Sequence, residues 1–168
     1  MDTYQAVIRK RDRRFFLDTP LPEENLRRIL QAGRMAGSSK NAQPNRFVVV
    51  RDPAKIADLA AMQLMGRWLE TAPVVIVIVQ EGREHPFDAG RAAQNMMLVA
   101  FADGIGSCPA HLPEGRVAQL LDIPEDRFVN RVIGFGYVNP ERDAPPPAVA
   151  RKRLPLEEIV HWDSWSKD

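Results

Sequence analysis

Val74-Val75-Ile76-Val77-Ile78-Val79 is an unbroken run of six β-branched residues. Such side chains are stiff at χ1 and suit a pleated surface, so the run reads as a strand. No polar residue alternates with the apolar ones, which places the strand at the centre of a sheet covered on both sides. Working outward, Phe47-Val48-Val49-Val50 is a second unalternated strand with the same expectation of double burial. On the other side, Gly104 to Pro109 leads into a short strand or loop. Arg131 to Val138 is the last strand, with Gly134 and Gly136 allowing close backbone approach.

Helices fall between these strands. Asp2 is a suitable N-cap for a helix over Thr3 to Lys10 that carries Tyr4, Val7 and Ile8 on one face. Pro22-Glu23-Glu24 starts a second helix, with Leu26, Ile29, Leu30 and Met35 forming a buried stripe. Asp52-Pro53 starts a third, running to about Met65, and Pro113 to Leu121 is a fifth. The fourth runs from Pro86-Phe87-Asp88 to Asp103 and stops at Gly104, a C′ glycine. Between Ala92 and Ala102 only Gln94 and Asn95 are polar. A helix apolar nearly all round needs cover nearly all round. A single domain of 168 residues seldom supplies that, so a dimer interface is expected on its second side.

After Asn139-Pro140 the composition changes. Ala144-Pro145-Pro146-Pro147 is polyproline-like, and the chain leaves the domain as an extended arm over residues 139–168. Leu154 to Val160 adds one helical turn, and His161, Trp162 and Trp165 give the tail apolar groups to dock. No internal repeat and no second domain is visible, so the expectation is one domain over 1–168.

Composition excludes several classes of function. The net charge is +1, which argues against a general nucleic-acid binder. The longest apolar run is far short of the ~20 residues that span a bilayer. The single cysteine, Cys108, forms no intrachain disulfide, and no secretory signal precedes it, so a reducing, cytoplasmic location is expected. His85, His111 and His161 are scattered, so no metal site is expected. No nucleophile elbow or Walker loop occurs, and Gly104-Ile105-Gly106 lacks the spacing of a dinucleotide fingerprint. Cys108 reads either as a nucleophile or as a small buried apolar group.

One feature stands out against the near-neutral whole. Five of the six residues from Arg9 to Arg14 are cationic. By itself such a cluster is either a solvated basic helix end or a local anion site. Two other stretches bear on the choice. Gly37-Ser38-Ser39-Lys40-Asn41-Ala42-Gln43-Pro44 is small and polar, and reads as exposed filler or a ligand-facing loop. Arg151-Lys152-Arg153 is a second cationic knot beyond the arm. Two separated knots and a polar loop suit a ligand with one phosphate and a planar hydrogen-bonding head, because guanidinium forks bind phosphate oxygens in pairs.

Four stretches together resemble the flavin-dependent nitroreductase family. Lys10-Arg11-Asp12-Arg13-Arg14-Phe15-Phe16 is similar to its opening motif of a basic pair, Ser or Asp, a further cation and Phe. Ala36-Gly37-Ser38-Ser39-Lys40-Asn41-Ala42-Gln43-Pro44-Asn45-Arg46-Phe47 resembles its second motif, Ala-Pro-Ser-Ser-x-Asn-x-Gln-Pro-Trp-x-Phe. Asp88 to Asn95 running into Gly104-Ile105-Gly106-Ser107-Cys108, and the tail from Arg153 to Trp162, look like family members too. The resemblance spans about residues 4 to 162, with Gly37 where the family has Pro and Asn45 where it has Trp.

The resemblance implies an α+β fold: a nitroreductase-like mixed sheet flanked by helices, in an intertwined homodimer whose arm reaches the partner subunit. It implies FMN held at the subunit interface. Lys10, Arg11, Asp12 and Arg14 then lie along the ribityl-phosphate, and Arg151 and Arg153 close over the phosphate. Ser38, Ser39 and Asn41 approach from the partner, and Pro109, Ala110 and His111 lie near the flavin N5 edge. NADH or NADPH is the implied electron donor, and a nitroaromatic, quinone or similar small molecule the acceptor, in a ping-pong scheme. No side chain is an obligatory acid or base, so no residue is named as catalytic. A flavin-binding sensor, or an oxygen-dependent flavin-cleaving or dehalogenating relative, is the competing expectation. Within the cluster, Lys10, Asp12 and Arg14 should face the cofactor and Arg13 should face water.

Overall fold

The computed structural model describes residues 2–64, 66–143 and 153–165. Its centre is strand β2 (Val74–Glu81), buried along its whole length up to Glu81. It pairs antiparallel with β1 (Asn45–Val50) on one side and β4 (Arg127–Gly136) on the other. Strand β3 (Gly106–Ala110) lies beyond β4, giving the order β1-β2-β4-β3. Every strand pairing among the described residues is antiparallel, where a mixed sheet was expected.

Two expectations about strands need correction. Phe47, Val48 and Val49 are half-buried rather than enclosed on both faces, because β1 is an edge strand with β2 on one side only. The last strand begins at Arg127, four residues before Arg131. Its first half is disguised by Arg127, Asn130 and Arg131, and by a bulge. Ile78 opposes Arg131 and Val79 opposes Val129, so Asn130 is the extra residue. A bulge of this kind bends the strand and re-aims a side chain.

The sheet separates two cores. On one face α2 (Glu23–Arg34) and α4 (Pro86–Ala102) bury Leu26, Ile29 and Met96 against Ile76, Ile78 and Phe135. On the other, α3 (Pro53–Ala61) and α5 (Glu114–Leu120) bury Ile56, Leu59 and Val117 against Val75, Val77 and Val79. The alternation along β2 therefore feeds both layers, each fully buried side chain contributing ~1.5–3 kcal/mol. Met35 falls off the stripe of α2: it is the C-cap and is 64% exposed. Helix α3 ends at Ala61, short of the expected Met65. Gly104 closes α4 with φ +76°, a conformation glycine adopts without strain.

The chain's two ends meet beside β3. Phe16 bridges Val138, the Leu17 amide donates to the Tyr137 carbonyl at 2.8 Å, and the Asn139 amide donates to the Phe15 carbonyl at 3.0 Å. Gly136 is needed here: a Cβ on it would lie 2.7 Å from both Phe16 Cβ and Pro73 Cδ. This clasp carries residues 10–14 along the outside of β3.

Helix α1 (Thr3–Arg9) is capped as expected, the Asp2 carboxylate accepting from the Gln5 amide at 2.8 Å. Only Ala6 of this helix is buried, and Tyr4, Val7 and Ile8 are exposed. In the tail, α6 (Leu156–Ile159) is followed by Trp162 and Trp165, which are 83% and 78% exposed. His161 stacks on Trp165 at 4.1 Å. The course of the arm over 144–152 lies outside the described residues. No helix among the described residues is long and apolar enough to cross a membrane.

Candidate functional site

The cationic stretch leaves α1 at Lys10 and passes beside β3, the Arg13 amide donating to the Ser107 carbonyl at 3.0 Å. Lys10 turns inward: its side chain is only 9% exposed, with Nζ 2.5 Å from Asp12 Oδ1 and 3.4 Å from Met97 Sδ. Arg11 Nη1 donates to the carbonyls of Ile8 and Lys10 at 2.7 and 2.8 Å. These are carbonyl partners, so the Arg11 charge meets no carboxylate there. Arg14 is exposed and lies within electrostatic range of the Cys108 thiol, as do Lys10 and Asp12.

Arg13 is half-buried and paired rather than free in water, contrary to the alternation expected of it. Its Nε lies 2.5 Å from Asp143 Oδ2, and Nη2 donates to the Asp143 carbonyl. Alternation fails because residues 10–14 belong to no strand; the pairing with Asp143 decides the orientation. Arg13 is consequently held over the start of the arm.

Between this stretch and the turn at Gly104–Ser107 lies a cleft of about 180 Å³, lined by Arg9, Lys10, Arg11, Arg13, Phe101 and Ser107 among others. Ser107 is 1% exposed, and its Oγ has no hydrogen-bond partner among the described residues. An orphaned buried hydroxyl is costly unless something completes it. Four cations line the cleft, Arg9, Lys10, Arg11 and Arg13, and among the described residues Asp12 and Asp143 pair with two of them. Surplus positive charge, guanidinium donors and an unpartnered hydroxyl fit a phosphate group. Ser107 was not legible as a site residue. Its only sequence signal is a hydroxyl within a short apolar strand. A larger cleft of about 600 Å³, lined by Phe16, Arg51, Glu70, Thr71 and Arg142 among others, contains none of the expected site residues.

The strand next to the cleft holds three further expected residues. Ala110 is buried, Pro109 half-buried and His111 exposed at the end of β3. Cys108, beside them, is 1% exposed, and burial pushes its thiol up to about 11. Asp12 and Asp143 push the same way, while Arg14 and Lys10 pull it down. A neutral thiol at that value is no nucleophile at ordinary pH, which favours the apolar reading of Cys108.

The polar loop is well ordered by its own bonds. The Gln43 amide donates to Ser38 Oγ at 2.9 Å, and the Asn41 amide to the Ser38 carbonyl at 3.0 Å. Lys40, Asn41 and Gln43 all have positive φ, between 48° and 55°, strain that a purely passive loop does not need. Arg91 Nη1 donates to the Gly37 carbonyl at 2.8 Å, tying the loop to α4. Ser39 and Asn41 point to solvent.

Within one chain this loop and the cationic cleft do not meet. The loop precedes β1, at one edge of the sheet; the cleft lies outside β3, at the other. Three strand spacings of ~4.8 Å separate those edges. Their ends also differ, since Asn45 pairs with Gln80 while Gly106 pairs with Gly136 at the opposite end of β4. Arg151 lies outside the described residues. Arg153 is exposed, and among the described residues no hydrogen bond or ion pair joins it to Lys10–Arg14.

A four-stranded antiparallel sheet between two helical layers, with a cationic cleft beside its edge strand, defines an α+β fold with a candidate anion site. The chain belongs to the Nitroreductase family, whose model matches residues 7–67 and 61–137. It is 30% identical to the NADH dehydrogenase of Thermus thermophilus, with 96% of each chain covered. An FMN-dependent nitroreductase from Clostridium difficile R20291 superimposes with a TM-score of 0.84 at 26% identity, over 97% of this chain and 100% of that one. The NADPH:FMN oxidoreductase of Vibrio harveyi, solved with NAD+, matches with a TM-score of 0.84 at 25% identity, over 98% of this chain and 78% of that one.

Proposed function

We propose that the chain is an FMN-dependent oxidoreductase that draws electrons from NADH or NADPH and passes them to a nitroaromatic, a quinone or a similar small acceptor. The observation that carries this reading is the cationic cleft with the orphaned Ser107 hydroxyl at its wall, beside residues 109–111. The family and the names borne by its relatives supply the class of cofactor. When bound, FMN would supply the two-electron chemistry that links the nicotinamide donor to the acceptor, in keeping with a ping-pong scheme.

The chain's own residues bind and orient. Lys10, Arg11 and Arg14 hold the phosphate and ribityl end, joined by Ser107 and, from beyond the arm, Arg151 and Arg153. Asp12 fixes the Lys10 ammonium, so the ammonium is already placed before ligand arrives. Pro109, Ala110 and His111 present backbone at the edge of the ring. Fixed positive charge at Lys10 and Arg14 favours the ligand form with more negative charge. Ser38, Ser39 and Asn41 are too far away in their own chain, so they complete the site of a second copy, in a homodimer. The exposed face of α1 and the exposed tail aromatics are in keeping with that dimer.

Titration of the apoprotein with FMN tests this, read by quenching of flavin fluorescence. Saturable quenching is expected, and Arg14→Ala should weaken it at least tenfold more than Arg83→Ala, an exposed cation elsewhere. Absence of quenching at saturating FMN overturns the reading.

A further inference from the structure

Gln80 is the last residue but one of β2, directly after its β-branched run, yet it is 0% exposed. All four hydrogen-bonding positions of its amide are used. Nε2 donates to Asn45 Oδ1 at 2.8 Å and to the His85 carbonyl at 2.9 Å. Oε1 accepts from the His85 amide at 2.8 Å and from Asn130 Nδ2 at 3.4 Å. Asn45 Nδ2 donates onward to the Asp88 carbonyl at 3.3 Å. Asn130 is the bulged residue of β4, and the bulge is what lets its side chain reach Gln80.

These partners sit at joints. Asn45 is the first residue of β1, two positions after Gln43, where the polar loop ends. His85 is the N-cap of α4, and Asp88 lies in its first turn. The same helix holds the loop's other end through Arg91 and the Gly37 carbonyl. The Glu81 amide, next to Gln80, donates to the Pro44 carbonyl at 3.0 Å. The loop is thus gripped at both ends, and one buried amide sets the distance between its exit and the start of α4.

We infer that Gln80 and Asn45 form a latch that positions the Ser38–Asn41 loop, making Gln80 a positioning residue for the flavin site. The latch stands where the family resemblance has an indole at position 45. This chain replaces packing around that ring with a directional polar network. The Gln80 amide is fully satisfied, while Asn130 Oδ1 beside it is buried without a hydrogen-bond partner among the described residues; a satisfied buried amide specifies one geometry more sharply than an apolar contact does. A loop holding three residues at positive φ needs such a frame to keep its strain. The inference rests on the reading that this loop faces flavin, and its test separates the two.

The full-length apoprotein and its Gln80→Leu, Asn45→Ala, Ser39→Ala and Gln80→Leu/Ser39→Ala variants are compared by hydrogen exchange over 36–46 and by FMN titration. Asn45→Ala removes the 2.8 Å bond from Gln80 and the weaker 3.3 Å bond to the Asp88 carbonyl, and serves if Gln80→Leu does not fold. Expected results are exchange of the loop in the apoprotein accelerated about tenfold or more in the latch variants, and an FMN Kd raised about tenfold. The double variant should bind no more weakly than its worse parent, since a displaced loop has already lost the Ser39 contact. A lowered Tm with wild-type loop exchange and wild-type FMN Kd overturns the latch. Faster loop exchange with FMN Kd unchanged in every variant supports the latch and overturns the flavin-facing reading of the loop instead.

Discussion

Arg13 Nε and Asp143 Oδ2 lie 2.5 Å apart across 130 positions of chain. The pair is part-buried, and a second bond from the same guanidinium to the Asp143 carbonyl fixes its plane. It stands at the point where the cationic stretch, β3 and the start of the arm come together.

Arg13→Ala should therefore cost ~1–3 kcal/mol, more than an exposed ion pair contributes, because the carboxylate is left partly buried without its partner. Urea unfolding of Arg13→Ala, Asp143→Ala and the double variant gives the coupling directly. A value near ~1 kcal/mol or above is expected, and a value of zero makes the pair incidental.

Cys108 should be silent toward thiol reagents in the native protein at pH 8 and react fully after unfolding. Its thiol is raised to about 11 chiefly by burial. A raised value means the neutral form is favoured in the fold. That contribution to stability is complete below the ordinary thiol range and is lost as pH climbs through about 11. Cys108→Ala should flatten the alkaline limb of a stability–pH profile while leaving the neutral region close to wild type.

Asp103 answers on the acid side. Arg28 grips it with two bonds, Nε to Oδ2 at 2.9 Å and Nη2 to Oδ1 at 3.1 Å. Those bonds hold the carboxyl below its usual range, with partial burial opposing. The stabilisation is present above the unfolded carboxylate value and disappears as pH falls through the lower folded one. Asp103→Asn should lower Tm at pH 7, and the difference from wild type should close in strongly acidic buffer. A constant difference at all pH values excludes the charge as the cause.

Gly136→Ala should destabilise by ~1–3 kcal/mol, because the added Cβ meets Phe16 Cβ and Pro73 Cδ, neither of which is a flexible chain end. Gly115→Ala, with open space around it, is the control and should be close to neutral. Thermal unfolding of both variants checks this.

What the sequence made plain was whatever local chemistry dictates. Val74 to Val79 could only be a central strand, Pro86 to Gly104 carries its own start and stop, and Asp2 caps where it was expected to. What it concealed depends on distant partners. The apolar run of β1 looks like a buried strand, and only the sheet order makes it an edge. The first half of β4 carries polar side chains because one faces the bulge and others face solvent, so its period is broken where it would be read. Arg13 looked solvent-facing until Asp143 was placed beside it. Ser107 and Gln80 gave almost no signal, since a single polar residue in an apolar run acquires meaning only from what surrounds it in space. The candidate site divides the same way: the cations and the polar loop were legible as stretches, while their placement on opposite edges of the sheet was not.

The clasp that joins Phe15–Leu17 to Tyr137–Asn139 also bears on the order of events in folding. It closes a chain loop of more than a hundred residues, and contacts of such long sequence separation form late, after local helices and hairpins have reduced the entropy to be lost. The Arg9–Arg14 stretch acquires its anion cleft only against β3 and that clasp. A chain short of residue 139 therefore lacks the clasp that sets residues 10–14 beside β3, so the cationic cleft is complete only once the whole sheet has formed.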